Sequence, residues 1–146
     1  MPSERVGMEK KSAFSLIEVM IVLVILGLLA SLIIPTYRDR VDKTKYETSK
    51  LNLQAIAKAM EQYHMDHSRY PVFQGWQELA AEQSPLRRYI NTIPLEDGWG
   101  RPYEVKVTEQ SYELLARGVP DPELKQEYPD FKVTTDIRFS LVDQGP

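Results

Sequence analysis

A chain of 146 residues with 18 basic and 21 acidic side chains has a formal net charge of −3 and suffices for one domain of ordinary size. That balance lacks the clustered basic excess of a nucleic-acid-binding domain, so no nucleic-acid partner is expected. The absence of cysteine excludes disulfides and thiolate metal sites.

The first element is the apolar run from Phe14 to Ile34, FSLIEVMIVLVILGLLASLII. About 20 consecutive apolar residues cross a bilayer core as a helix, and a soluble core helix rarely stays apolar on every face for that distance. A secretory signal peptide fits poorly. Its apolar region is roughly 7–15 residues and ends at a small-residue cleavage site, whereas Pro35-Thr36-Tyr37-Arg38 follows here. A plain signal anchor fits the length, with Arg5, Lys10 and Lys11 keeping the N-terminus cytoplasmic. It gives no reason for Glu18. A carboxylate in an apolar helix costs about 2.5–3.5 kcal/mol near the bilayer centre, less near the end, and calls for a named partner.

Upstream, Glu9-Lys10-Lys11-Ser12-Ala13 is a short charged leader ending on a small residue. Cleavage between Ala13 and Phe14 would create an ammonium at Phe14, four residues before Glu18. Within one helix the two cannot easily pair, but Phe14 of one copy can meet Glu18 of a neighbour. Removing one member of such a buried pair strands the other charge at roughly 3–5 kcal/mol. One carboxylate can thus set the axial register between subunits. Starts at Met1 and at Met8 both remain open.

From Thr36 to Ser68 there is no Gly or Pro, and Leu53, Ile56, Met60 and Tyr63 recur at steps of three, four and three. This spacing predicts an amphipathic helix. It should stop near His67-Ser68, because the residue before Pro71 disfavours helical torsions. His64 and His67 read as a solvated helix end in preference to a metal pair. Arg38, Asp39, Arg40, Asp42, Lys43 and Lys45 mix both signs, as a solvated stretch does.

Beyond Pro71 the chain is too short to bury much core alone and must pack on the Leu53/Ile56/Met60/Tyr63 stripe. Residues 74–83 and 85–89 read as short helical pieces with Trp76 and Leu79 inward. Residues 103–107 and 112–116 read as strands joined by a four-residue hairpin link, Thr108 to Ser111. Residues 131–135 and 137–141 add one or two more, after a loop at 118–129 containing Pro120, Pro122 and Pro129. The expected fold is α+β, a long N-terminal helix packed on a small antiparallel sheet.

Ala13-Phe14-Ser15-Leu16-Ile17-Glu18, the apolar run and then Pro35 resemble the prepilin signal of type IV pilins and type II secretion pseudopilins. The resemblance implies a pilin-like fold and cleavage by a prepilin peptidase between Ala13 and Phe14, with Ala13 where the family usually has Gly. It implies N-methylation of Phe14, guidance of assembly by Glu18, and a kink or melted stretch at Pro35. By itself Pro35 also reads as the first-turn residue of a new helix. Tyr70-Pro71, Gln74-Gly75 and Asp97-Gly98-Trp99-Gly100-Arg101-Pro102-Tyr103 are similar to the major pseudopilin branch. That branch usually carries a C-terminal calcium loop built from a Ser, two Asp side chains and carbonyls. Asp121 and Asp136 match its acidic positions approximately, while Ala116 replaces the Ser and Arg117 adds a positive charge. A calcium site at Asp121 and Asp136, and a loop closed by packing of Tyr128 and Phe131, are both open.

The resulting division is a cleaved leader at 1–13, a transmembrane and polymerisation helix at 14–35, an amphipathic half-helix at 36–68, and a globular part at 69–146. No nucleophile with a base at usable spacing, phosphate loop or metal-ligand cluster points to an enzyme. The expected function is a structural subunit of a type II secretion pseudopilus, a homopolymer that promotes export of folded proteins. Its implied partners are minor pseudopilins, the prepilin peptidase and an inner-membrane assembly platform. It would sit in the bacterial inner membrane as a single-pass protein, N-terminus cytoplasmic and C-terminal part periplasmic, and enter a periplasmic filament on assembly. The alternatives are a type IV pilin for adhesion, motility or DNA uptake, and an anchored periplasmic binding module that never polymerises.

Overall fold

The structure is a computed structural model and describes residues 13–142; the predicted leader other than Ala13, with both candidate starts, lies outside the described residues. Helix α1 spans Leu16–His67. The chain divides between Arg38 and Asp39 into two compact units.

In the first unit every side chain from Ala13 to Ile34 is exposed. The segment is apolar and long enough to cross a membrane. The helix runs continuously across Pro35, although proline offers no N–H to the preceding turn.

In the second unit the helix is amphipathic. Tyr46, Ser49, Leu53, Ile56, Ala57 and Met60 are buried and Tyr63 is half-buried, so the stripe begins two turns before Leu53. The helix ends at His67 on a left-handed residue, Ser68 (φ 56°), whose N–H reaches the His64 carbonyl at 2.7 Å. His64 stacks on Tyr70 and His67 on Tyr63, at ring distances of 4.5 and 4.0 Å. The histidines thus cover aromatic faces at the helix end.

The expected helical piece at 74–83 shortens to α2, Trp76–Ala80, with Trp76 and Leu79 buried; Pro85–Arg88 forms a 3₁₀ turn. The sheet follows: β1 Glu104–Val107, β2 Tyr112–Ala116, β3 Phe131–Thr134 and β4 Arg138–Leu141. It is an antiparallel meander in the order β1-β2-β3-β4. Alternation turns Tyr112, Leu114 and Ala116 of β2 and Phe131 and Val133 of β3 into the core. There they meet the helix stripe. The β1–β2 link is the expected four-residue hairpin, closed by Thr108 N–H to the Ser111 carbonyl at 2.8 Å. The 131–141 region yields two strands, separated by a tight turn where Asp136 and Ile137 both have positive φ.

Candidate functional site

Four groups of residues have chemistry beyond packing. The first is the helix start. Ser15 Oγ accepts the Glu18 N–H at 3.2 Å while Glu18 Oε2 accepts the Ser15 N–H at 2.7 Å. This reciprocal pair is a capping box and satisfies two backbone donors that a helix start leaves over. Its pattern, Ser-x-x-Glu, stands in the sequence, but it is hidden when Glu18 is taken only as a charge needing a distant partner. The capping bond uses one oxygen of Glu18; among the described residues Oε1 has no donor. Phe14 and Val19, at the positions of a hydrophobic staple, border one shallow apolar groove with Glu18 and Val22. Ala13 and Phe14 are exposed.

The second group is the tryptophan turn. Asp97, whose side chain is only 2% exposed, accepts the N–H groups of Trp99 (2.8 Å) and Arg101 (2.9 Å) on Oδ1. Its other oxygen, Oδ2, pairs with the Arg101 guanidinium at 2.9–3.0 Å. Gly100 supplies the left-handed residue (φ 75°). Trp99 donates its indole N–H to Asp42 Oδ1 at 2.9 Å and packs between Lys45 and Arg101. A Cβ at Gly98 would lie 2.6 Å from Lys45 Cγ, so glycine allows the turn to press against α1. The predicted tight turn is therefore also a clamp on the helix.

The third group is the loop 117–130, closed at its base by the Ala116–Phe131 pair. Arg101 reaches out of the tryptophan turn and donates to the carbonyls of Arg117 (3.1 Å) and Gly118 (2.6 Å). Asp130 accepts the Gly118 N–H at 2.7 Å and pairs with the Lys125 ammonium. Burial raises the Asp130 carboxyl pKa, but Lys125, the Gly118 N–H and the charge of Arg101 outweigh it and hold the group below its ordinary range. The Val119 N–H meets the Tyr128 carbonyl at 3.0 Å. Gly118 has no room for a Cβ, which would collide with that carbonyl. Tyr128 fills the loop, packing on Tyr46, which in turn meets Phe131, each at 5.3 Å. The packed alternative, with Tyr128 and Phe131 as plug, thus describes this loop.

Residues 36–129, well over half of the chain, match the family described as type II secretion system (T2SS), protein G. The chain belongs to this family of major pseudopilins. Residues 8–34 match the prokaryotic N-terminal methylation motif. The chain is 33% identical over 125 residues to the type II secretion system core protein G of Pseudomonas aeruginosa, covering 78% of this chain and 87% of that one. It is 36% identical over 128 residues to the protein of that name from Klebsiella pneumoniae (78% and 91% covered). To that of Escherichia coli it is 32% identical over 130 residues (82% and 88% covered). No solved structure matches it.

Within this pseudopilin fold the calcium site expected at Asp121 and Asp136 does not fit the residues present. Asp121 lies in the loop beyond the Ala116–Phe131 end of the sheet; Asp136 follows Thr134, at the other end of β3. Three residue steps from Phe131 to Thr134 put about 10 Å between those ends. Asp121 Oδ1 instead accepts the Glu123 N–H at 3.0 Å. Asp136 is exposed, with its N–H on Glu61 and its carboxylate 3.7 Å from Arg138. Among the described residues no group of three or more His, Cys, Asp or Glu side chains could hold a metal ion. The acid that closes the loop is Asp130, next to Phe131 where β3 begins. Seeking the second acidic position beside Ile137 passes over it.

Sequence patterning does not reveal Glu61 either. Its Oε1 accepts the Tyr112 hydroxyl (2.9 Å) and the Asp136 N–H (2.9 Å), and its Oε2 accepts the Tyr70 hydroxyl (3.0 Å). Burial first, then the Glu61 hydrogen bonds and charge, push both tyrosine hydroxyls far above their ordinary pKa. Glu61 lies one residue after Met60 at the edge of the apolar stripe, so periodicity assigns it to solvent.

Proposed function

We propose that this protein is a structural subunit of the type II secretion pseudopilus, made as an inner-membrane prepilin and assembled into a periplasmic filament that promotes export of folded proteins. The observation that carries the proposal is the union in one chain of a protein G unit and an N-terminal segment with no buried side chain. A stretch that apolar needs lipid first and neighbouring copies later.

In this reading a prepilin peptidase cuts between Ala13 and Phe14, and Phe14 is N-methylated. The new ammonium pairs with Glu18 of an adjacent subunit, through the oxygen that the capping box leaves over. A bidentate use of Glu18 suits a desolvated carboxylate, which needs several donors. Pro35, which cannot donate to the Ser31 carbonyl, is the natural place for the helix to bend or melt in the filament. The N-terminus faces the cytoplasm and residues 39–142 the periplasm, with minor pseudopilins, the peptidase and an inner-membrane platform as partners. The role is structural, with no reaction catalysed by the subunit.

The test is the intact mass and N-terminal sequence of the protein purified from its native membrane. The expected species begins at N-methylated Phe14. An unprocessed chain in cells with an active prepilin peptidase would return it to the anchored, non-polymerising modules.

A further inference from the structure

At loop 117–130 the one partly buried carboxylate, Asp130, and two backbone carbonyls are already bound to cations of the protein. Asp130 carries the Gly118 N–H and the Lys125 ammonium on one oxygen. The Arg117 and Gly118 carbonyls, on the segment whose Gly118 N–H Asp130 accepts, both take the Arg101 guanidinium. Lys125 and Asp130 are about equally shielded, with side chains 27% and 25% exposed, and so is Arg101 at 25%. None of the three is a freely solvated surface charge. Arg117 is turned away, its guanidinium on Glu104 Oε1 at 2.8 Å across the sheet edge. Asp121, Glu123 and Glu127, the other acids of the loop, are exposed, and Asp121 Oδ1 accepts the Glu123 N–H.

We infer that the loop of this pseudopilin is closed by an internal cation clamp, Lys125 on Asp130 and Arg101 on the Arg117 and Gly118 carbonyls, and that folding of the unit is therefore independent of calcium. The reasoning is one of occupancy. A calcium ion takes about 6–8 oxygen ligands. Here the Asp130 carboxylate and two carbonyls already accept charge-assisted hydrogen bonds from side chains of like sign to the metal. Entry of a dication would have to expel both cations or sit against them. The clamp also joins two motifs, since the arginine that reads the loop carbonyls is the one locked by Asp97 in the tryptophan turn. Loop closure and the turn are thus one cooperative device.

The experiment uses the full-length chain in detergent micelles. Thermal melting and titration calorimetry with calcium chloride are run against EGTA, and Gly118 and Val119 amide exchange is followed in parallel. The expected result is an unchanged melting temperature, no saturable heat of calcium binding and unchanged amide protection. Lys125→Met should lower the melting temperature and deprotect the Gly118 amide, and Lys125→Arg should restore most of both. Saturable calcium binding by the unmodified chain, or a melting temperature that calcium raises above its EGTA value, would overturn the inference. So would a Lys125→Met protein that melts and exchanges as the parent does. If that variant cannot be recovered folded, the calcium and EGTA comparison on the parent chain decides alone.

Discussion

Two stretches of α1 have opposite fates. From Leu16 to Ile34 every side chain is exposed, although all but a few are large and apolar; from Tyr46 to Met60 one face is buried against the sheet, and Ser49 and Asn52 beside it have partners inside the chain. The difference lies in what each stretch lacks. The second has its complement in β2, β3 and the tryptophan turn, so its energetics are intramolecular. The first has none among the described residues, where its one carboxylate is only half satisfied, by Ser15. In the proposed filament its stability and its function come from lipid and from other subunits.

Changing residues in either stretch tests this contrast. The largest effect is expected from Glu18→Ala, which should leave membrane insertion intact and abolish filament assembly. Stranding the Phe14 ammonium of a neighbour at roughly 3–5 kcal/mol weakens each contact by a factor on the order of 10²–10³ or more. Normal filaments, seen by cross-linking or electron microscopy of sheared cells, would sink the register role. Next, Leu53→Ala should destabilise the second unit by about 2–5 kcal/mol, since Leu53 is fully buried. Leu23→Ala, in the exposed stretch, should leave the melting of that unit where it was. Equal losses from both variants would erase the contrast between the stretches.

Gly118→Ala comes third. With the Tyr128 carbonyl where the new methyl must go, the expected loss is about 1–3 kcal/mol by overpacking, read as a lower midpoint in urea. An unchanged midpoint would mean the loop yields without cost.

The smallest effect concerns Glu61→Gln, at about 1–2 kcal/mol for a weakened acceptor. Its diagnostic is pH. Tyr70 and Tyr112 hold their protons in the fold to well above the ordinary tyrosine value of about 10. The unfolded chain releases them at that value, so above it the unfolded state binds fewer protons and stability falls as pH rises. The contribution is fully present below pH 10 or so. Glu61→Gln should make the alkaline fall of the melting temperature shallower. Identical slopes would remove Glu61 as its cause.

Several elements are legible in the sequence because they rest on local periodicity. The alternation in 112–116 sets β2, the Leu53/Ile56/Met60 spacing sets the buried helix face, and Thr108 to Ser111 marks the hairpin. Others are legible only in outline. The 74–83 helix shortens to Trp76–Ala80 because Trp76 is anchored, its indole N–H on the Pro94 carbonyl at 2.8 Å, and Ala81 leaves helical torsions. Asp130 is out of reach for a different reason. Its partners are Gly118, 12 residues back, and Lys125, which a sequence presents as an ordinary loop lysine.

The sequence by itself determined the membrane-spanning length of residues 14–34, the N-terminal methylation motif, the amphipathic continuation and the tryptophan turn. Each is a matter of residue type at fixed short spacing, where helix and strand periods convert sequence distance directly into direction. Only the tertiary structure decided which acid closes the loop, that Arg101 serves both Asp97 and the Arg117 and Gly118 carbonyls, and that Glu61 gathers Tyr70, Tyr112 and the Asp136 N–H. Apart from the short Arg101–Asp97 and Lys125–Asp130 steps, those choices depend on which groups meet across 9 to 75 residues of chain. Such meetings are set by the packing of the sheet on the helix, and hydrogen-bond partners over that range leave no periodic trace in the sequence.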